Sequence, residues 1–424
     1  MFSWFRSLNA SETRAFYACF GGWAVDALDT QIYSFIIPTL IAAWNMTRGE
    51  AGLLGTAALI SSAIGGWIAG MLCDRVGRVR VMKLAIAWFV VFTILCGFAD
   101  SYNQLLIARV LSGLGFGGEW AAGAVLIGEI IRPEFRGKAV GTVQSAYSVG
   151  YAIAAIMSSI LFSVMSADIA WRSMFWLGVV PAFFVFVVLR KVKDPEVYLA
   201  AKSARAAKGA ENINPLMIFH PTLLRTTVLT SILAFGVQAG GFVVALWLPT
   251  LLRTVRGFST AEVGYHMLTF TVGSFVGFLV GAYLSDALGR RLNFLLFTLG
   301  NWIMIPAFLY LPVGQAGLLP LDALLGFVSF GIYSALGSYF TELFPSAVRA
   351  SGQGFSYNFG RGIGAFFPAV VGLLSSTGGM LSLRDALACV GFSAYAFVLL
   401  AIAFLPETRG LDLSEVPDLV QGVD

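Results

Sequence analysis

The sequence predicts an all-α integral membrane protein of twelve transmembrane helices arranged as two pseudo-symmetric six-helix halves. Three observations carry that prediction: an apolar excess, apolar runs long enough to cross a bilayer, and loop motifs repeating half a chain apart. Of 424 residues, 58% are hydrophobic and 12% charged, and the mean hydropathy is +0.81. A soluble domain carries about a quarter charged residues, and a single core stops growing at roughly 250–300 residues. The solvent for most of this surface is therefore lipid. Long apolar runs suit helices, whereas the strands of a membrane barrel alternate in polarity.

At about 20 residues per span, the runs fall at 16–43, 51–72, 82–99, 104–130, 138–164, 171–190, 223–251, 262–285, 292–312, 318–341, 350–376 and 384–405. The opening MFSWFRSLNASETR is short and polar. The run behind it is too long for a signal-peptide core, holds two acids and lacks a small-residue cleavage site, so it is expected to stay as the first span. One long connection, 191–222, is rich in Ala and Lys and is expected to be a cytoplasmic linker with a surface helix. It separates an N-terminal half, 1–190, from a C-terminal half, 223–424.

Twenty of the 27 Lys and Arg residues fall in the N-terminal segment and the loops on its side of the membrane. Five (Arg48, Arg172, Arg253, Arg256, Arg384) fall on the other side, and Arg109 and Arg361 lie inside spans. Both termini are therefore expected in the cytoplasm. The net charge of +4 is spread over short loops, which argues against nucleic-acid binding and leaves the linker free to lie against anionic lipid. Cys19, Cys73, Cys96 and Cys389 sit far apart in apolar runs, with no disulfide or metal-ligand spacing. They read as small apolar fillers, and His220 and His266 read as isolated.

After the second span comes GMLCDRVGRVR, with Asp74 and Arg78; after the eighth comes AYLSDALGRR, with Asp286 and Arg290. The offset from Asp74 to Asp286 is 212 residues, half the chain. GEIIRPEFRG, with Glu129 and Arg136, returns as TELFPSAVRA, with Glu342 and Arg349, each displaced by 213. Two unrelated motifs at one offset indicate a duplicated six-span unit, whose halves rock about a midplane site. The loop acids can accept from helix N-terminal amides and from Arg on the facing loop. Asp74, Arg78, Glu129, Arg136, Asp286, Arg290, Glu342 and Arg349 are thus expected to gate the cytoplasmic side.

G-x-x-x-D-R-x-G-R resembles the signature loop of the major facilitator superfamily. ARVLSGLGFGGEW, PEFRG and the ending PETRG at 406–410 resemble further motifs of that superfamily. The resemblance covers essentially the whole chain and implies the major facilitator fold and secondary transport by alternating access. Arg109 occupies the superfamily's fourth-span Arg position, where the resemblance implies a role in coupling or in holding span 4 to span 1.

Charges inside the spans carry the functional expectation. Asp26 and Asp29 lie near the centre of span 1, Glu119 near the centre of span 4 and Arg361 near the centre of span 11. Each costs about 2.5–3.5 kcal/mol to insert, so the default reading is a binding site or proton relay. Asp26 and Asp29, at i and i+3, share a helix face. Two carboxylates facing one cavity favour proton uptake on one of them, and Asp29, the deeper, is the first choice. Glu119 could bind a proton; ten residues of helix separate it from Arg109. Arg361 in SYNFGRGIGAFFP offers a rigid fork matched to a carboxylate, with Tyr357 and Asn358 beside it. Gln31, Gln144, Tyr147, Gln238 and Tyr333 are the further substrate-contact candidates, with Ser334 and Tyr339 behind them.

D-x-x-D in span 1 with Arg in span 11 resembles the proton symporters of organic acids. The form D-A-L-D-x-Q with YNFGRGIGAFFP most resembles the sialate- and lactate-type group, and Ala27 departs from the D-G-x-D of the aromatic-acid group. The expected function is proton symport of a small monocarboxylate such as lactate, sialate, nicotinate or an aromatic acid. The carrier is expected to be a monomer in a bacterial inner membrane, with the proton as coupling ion and no cofactor. A sugar or neutral-solute porter is the alternative within the fold, and a non-transporting receptor is the alternative outside transport. No nucleophile–base pair, metal cluster or phosphate loop marks an enzyme.

Overall fold

The structure is a computed structural model that describes residues 3–46, 48–207, 214–375 and 380–413. Residues 208–213 of the linker and residue 376, the end of the expected eleventh span, lie outside them. Every regular element among the described residues is helical. The twelve long elements are α1 (Ala10–Trp44), α2 (Arg48–Val76), α3 (Arg78–Gly97), α4 (Tyr102–Ile130), α5 (Pro133–Val164) and α6 (Ala167–Leu189), then α7 (Pro221–Thr254), α8 (Thr260–Leu288), α9 (Arg290–Tyr310), α10 (Gln315–Leu343), α11 in two pieces (Arg349–Gly364 and Phe367–Leu374) and α12 (Leu383–Phe404). Ten of these are long and apolar enough to cross a membrane. The other two, α1 and α11, are the ones loaded with Asp26, Asp29 and Gln31 and with Gln353, Asn358 and Arg361. Most helices overrun the apolar runs by a turn or less, because their polar ends stand in the headgroup layer. The linker carries a helix, Glu196–Ala207.

Local chemistry sets the boundaries. The Asn9 side chain accepts from the Ser11 and Glu12 amides while Glu12 takes the Asn9 amide, a capping box that starts α1. Ser259 and Glu262 do the same for α8. The α2–α3 and α8–α9 turns pivot on Gly77 (φ +111°) and Gly289 (φ +101°), a conformation open to glycine. Pro181 and Pro368, lacking N–H groups, stand just past the breaks of α6 and α11. A 3₁₀ turn, Ile332–Ala335, interrupts α10.

Small residues let the helices of each half approach closely. A Cβ on Gly117 would overlap the Ser62 carbonyl on α2, and one on Gly273 of α8 would overlap the Ala323 carbonyl on α10. Across the halves, α2 packs on α11 and α5 on α8. Large apolar side chains such as Phe183, Leu84 and Leu373 point outward to lipid.

Candidate functional site

The site is built in three layers, beginning at the end of the bundle that holds the α2–α3 and α8–α9 turns. In the first layer Arg78 grips Glu129 with two parallel bonds, Nε to Oε2 at 2.9 Å and Nη2 to Oε1 at 3.1 Å, and Arg349 reaches across the halves to Glu129 at 2.8 Å. The Asp74 carboxylate accepts from the Ala350 and Ser351 amides (3.2 and 2.7 Å), capping the first turn of α11 in the other half. The second copy repeats the pattern. Arg290 grips Glu342 at 2.8 and 3.1 Å, Arg136 reaches Glu342 at 3.2 Å, and Asp286 accepts from the Gly137 and Lys138 amides at 2.9 and 2.8 Å. All eight expected gating residues thus gather in two clusters related by the repeat. Buried charges are tolerable when paired and hydrogen-bonded; these bonds pair every charge of both clusters, with Arg349 Nη2 left without a partner among the described residues.

Two more acids complete the layer. Asp194 of the linker accepts from the Val79 amide at 2.9 Å, and Glu407 accepts from the Arg290 and Arg291 amides at 2.9 and 3.0 Å. Each caps the helix that follows a positive-φ glycine, and a Cβ on Gly77 or Gly289 would press into its carboxylate. Their 213-residue offset is the signal that could have found them.

The second layer holds the charges of α1 and α4. Arg109 Nη1 donates to Asp29 Oδ2 at 2.7 Å, with both side chains buried and the guanidinium 5.2 Å from the Tyr33 ring. Asp26 and Glu119 border one small buried gap, together with Gly22 and Val25. A direct bond between the two would need a proton on one oxygen, since an ionised carboxylate only accepts. Asp26 Oδ2 and Glu119 Oε1 are buried without partners among the described residues. Space for this pair comes from Gly22, where a Cβ would strike the Glu119 carboxylate. The expectation that Asp26 and Asp29 share an open cavity is therefore corrected. Both lie against α4 and take different partners there, because α1 turns this face to the helix carrying Arg109 and Glu119. Beside them Trp120 of α4 stacks on Tyr357 of α11, centroids 3.4 Å apart and planes 19° apart, joining the halves.

Beyond that stack lies the third layer, a cavity of about 450 Å³ between the halves. Arg361 and Gln31 line it with Tyr147, Tyr151, Thr30 and Ser34, and Phe242, Phe270, Phe330 and Met267 give it an apolar wall. Arg361 is buried, its guanidinium 4.5 Å above the Phe116 ring, with Nη1 unpartnered. No carboxylate among the described residues lies within ion-pair distance of it, so a permanent cross-half pair is absent there. Gly360 and Gly364 press the helix around it against α7. Gln31 Nε2 donates to the Tyr147 hydroxyl at 3.3 Å.

The other expected contact residues stand outside the cavity wall. Gln238 Nε2 donates to the Tyr357 carbonyl at 2.8 Å, Asn358 Nδ2 to the Gly354 carbonyl at 2.9 Å, and the Tyr333 hydroxyl to the Val237 carbonyl at 3.3 Å. Gln144 accepts from Trp120 Nε1 at 3.4 Å. The hydroxyls of Ser334 and Tyr339 go to the Gly331 and Pro406 carbonyls at 2.7 and 2.6 Å. These side chains satisfy backbone and ring groups at helix crossings, which removes Tyr357, Asn358, Gln144, Gln238 and Tyr333 from the wall. Thr30, Ser34, Tyr151 and Phe330 were missed; helical spacing from Gln31 and Tyr147 pointed only to Ser34 and Tyr151. His266, expected to be isolated, is buried and paired with Asp322 of α10, an intramembrane acid the sequence reading passed over.

Two six-helix halves enclosing a cavity with a charged base, inside an apolar shell, define a multi-pass membrane transporter. The chain belongs to the Major Facilitator Superfamily, whose family model matches residues 19–369. It is 42% identical over 416 residues, 98% of this chain and 95% of the relative, to the "Probable 4-methylmuconolactone transporter" of Cupriavidus pinatubonensis. It is 29% identical to the "Cis,cis-muconate transport protein" of Acinetobacter baylyi, over 86% of this chain and 88% of that one. Among solved structures, the proton:xylose symporter XylE bound to 6-bromo-6-deoxy-D-glucose matches with a TM-score of 0.80 at 19% identity, over 96% of this chain and 98% of that one. That likeness is one of fold.

Proposed function

We propose that this protein imports a small organic monocarboxylate by proton symport, through alternating access, in a bacterial inner membrane with both termini in the cytoplasm. The observation that carries the reading is Arg361: a buried guanidinium on the cavity wall, with no carboxylate partner among the described residues and Nη1 unpartnered there. An uncompensated buried cation is costly, and a substrate carboxylate supplies the missing charge through a forked pair. The relatives named for 4-methylmuconolactone and cis,cis-muconate support an organic-acid substrate. Phe242, Phe270, Phe330 and Met267 favour a flat, unsaturated or ring-containing acid over a polyhydroxylated one such as sialate, whose hydroxyls would find few partners there.

For the proton, the geometry favours the Asp26–Glu119 pair over Asp29. Asp29 is neutralised by Arg109 and ties α1 to α4. Two buried carboxyls at one gap favour a shared proton, and the Arg361 guanidinium acts on Asp26 electrostatically. A substrate carboxylate on Arg361 removes that cation's pull on Asp26 and favours the protonated pair, which links the two loads. On this reading the two charged clusters act as a latch that holds the cytoplasmic side shut while the cavity loads from outside. Rocking opens the latch, the anion leaves, and loss of the proton to the cytoplasm resets the pair.

The test is uptake of muconolactone-type, benzoate-type and lactate-type acids into proteoliposomes under an imposed inward proton gradient. Accumulation that the gradient drives and a protonophore collapses is expected for the unsaturated or ring acids. Uptake indifferent to the gradient would remove the proton, and uptake of neutral sugars alone would remove Arg361 from the substrate site.

A further inference from the structure

We propose that the protein binds one anionic phospholipid in the groove between α3 and the linker helix, with the headgroup held by Arg80, Lys83 and Lys193. The groove measures about 640 Å³ and is walled by these three cations with Val79, Leu84, Val192, Asp194 and Leu199. None of the three has a carboxylate within ion-pair distance among the described residues. The single acid in the wall, Asp194, is committed to the Val79 amide at 2.9 Å. The groove is therefore net cationic, and its positive heads lack protein partners.

The surface above the groove selects a lipid over a free anion. Leu84, Trp88, Val91 and Leu95 follow one another at i, i+4, i+7 and i+11 along α3, and all four are exposed. That spacing places them on one face, an apolar stripe that begins at the cationic groove and runs up through the hydrocarbon layer. A headgroup phosphate on the cations sets its acyl chains along this stripe. The groove also adjoins the latch. Tyr198, on the same linker helix as Leu199, lies with its ring 4.0 Å from the Arg78 guanidinium, and Asp194 caps the helix that Arg78 opens. A lipid bridging α3 and the linker helix holds that cover over Arg78 and favours the latched state.

The experiment uses the full chain in detergent, with native mass spectrometry and thermal unfolding, titrated with phosphatidylglycerol, phosphatidylcholine or inorganic phosphate. Phosphatidylglycerol is expected to be retained and to raise the melting temperature, and the other two are not. Each cation near an anionic headgroup is worth about a factor of five, so Arg80→Gln/Lys83→Gln/Lys193→Gln is expected to weaken phosphatidylglycerol retention about 100-fold. Arg6→Gln/Arg14→Gln/Lys191→Gln removes equal charge from the same side outside the groove and is expected to leave retention unchanged. Melting of the groove variant in phosphatidylcholine alone, expected to match the unmodified protein, separates lost binding from lost folding. Wild-type retention by the groove variant, equal loss in the control variant, or equal stabilisation by inorganic phosphate would each overturn the site.

Discussion

Replacing Asp74 by Asn should loosen the latch by an amount that can be worked from its bonds. In the shut state its two carboxylate oxygens accept from the Ala350 and Ser351 amides, at 3.2 and 2.7 Å, and from the Ser351 hydroxyl at 2.7 Å. These bonds cross the halves, so they break when the halves part at this end. Asn keeps one acceptor and the shape but loses the charge facing the first turn of α11. A charge-assisted hydrogen bond is worth about 1.5–3 kcal/mol, and charge at a partly buried helix N-terminus up to about 2 kcal/mol. The closed state should therefore lose about 2 kcal/mol relative to the open one, near 30-fold in their ratio. Asp286, which accepts from the Gly137 and Lys138 amides, sits in the other cluster. Separate clusters add, so Asp74→Asn/Asp286→Asn should shift the ratio about 1,000-fold. The readout is a distance distribution by pulsed electron resonance between spin labels at Val76 and Leu288, exposed positions on α2 and α8 beside the two charged clusters, in a Cys389→Ser background. Growth of a long-distance population, larger in the double variant, is predicted. Unchanged distributions in both variants, with the fold intact, would refute the gating role.

Asp26→Asn and Glu119→Gln should each abolish gradient-driven accumulation in proteoliposomes while counterflow exchange persists; retained accumulation would move the proton elsewhere. Asp29→Asn leaves the Arg109 guanidinium buried without its 2.7 Å partner, which should destabilise the protein by about 3–5 kcal/mol. The melting temperature should fall, and most of the loss should return in Asp29→Asn/Arg109→Gln. Trp120→Ala deletes the stack on Tyr357, worth about 1 kcal/mol beyond its buried area, and should shift the spin-label distances toward the open form by severalfold.

The twelve spans were legible because hydrocarbon thickness imposes a length on every apolar run. The two charged clusters were legible because duplication printed the same spacing twice. Arg361 could be singled out because no packing need explains a guanidinium at mid-membrane. The partners of the α1 acids were hidden for a geometric reason. Asp26 and Asp29 share a face, but a tilt of α1 against α4 decides which meets Arg109 and which meets Glu119, and sequence does not show tilt. The cavity wall was hidden in the same way: Tyr147 lines it and Tyr333 does not, although both are tyrosines at mid-depth. The His266–Asp322 pair escaped because its members lie 56 residues apart, on helices whose adjacency is tertiary.

The central claim, that Arg361 receives the substrate's carboxylate, is tested most directly by equilibrium binding of one ring-containing monocarboxylate and its neutral amide to the purified protein and to Arg361→Gln. The acid should bind the unmodified protein far more tightly than the amide does. Arg361→Gln should lose at least about 30-fold toward the acid, since truncating one partner of a buried charge pair costs about 2–5 kcal/mol, and little toward the amide. Equal affinities for acid and amide, or unchanged affinity of the variant for the acid, would contradict the account.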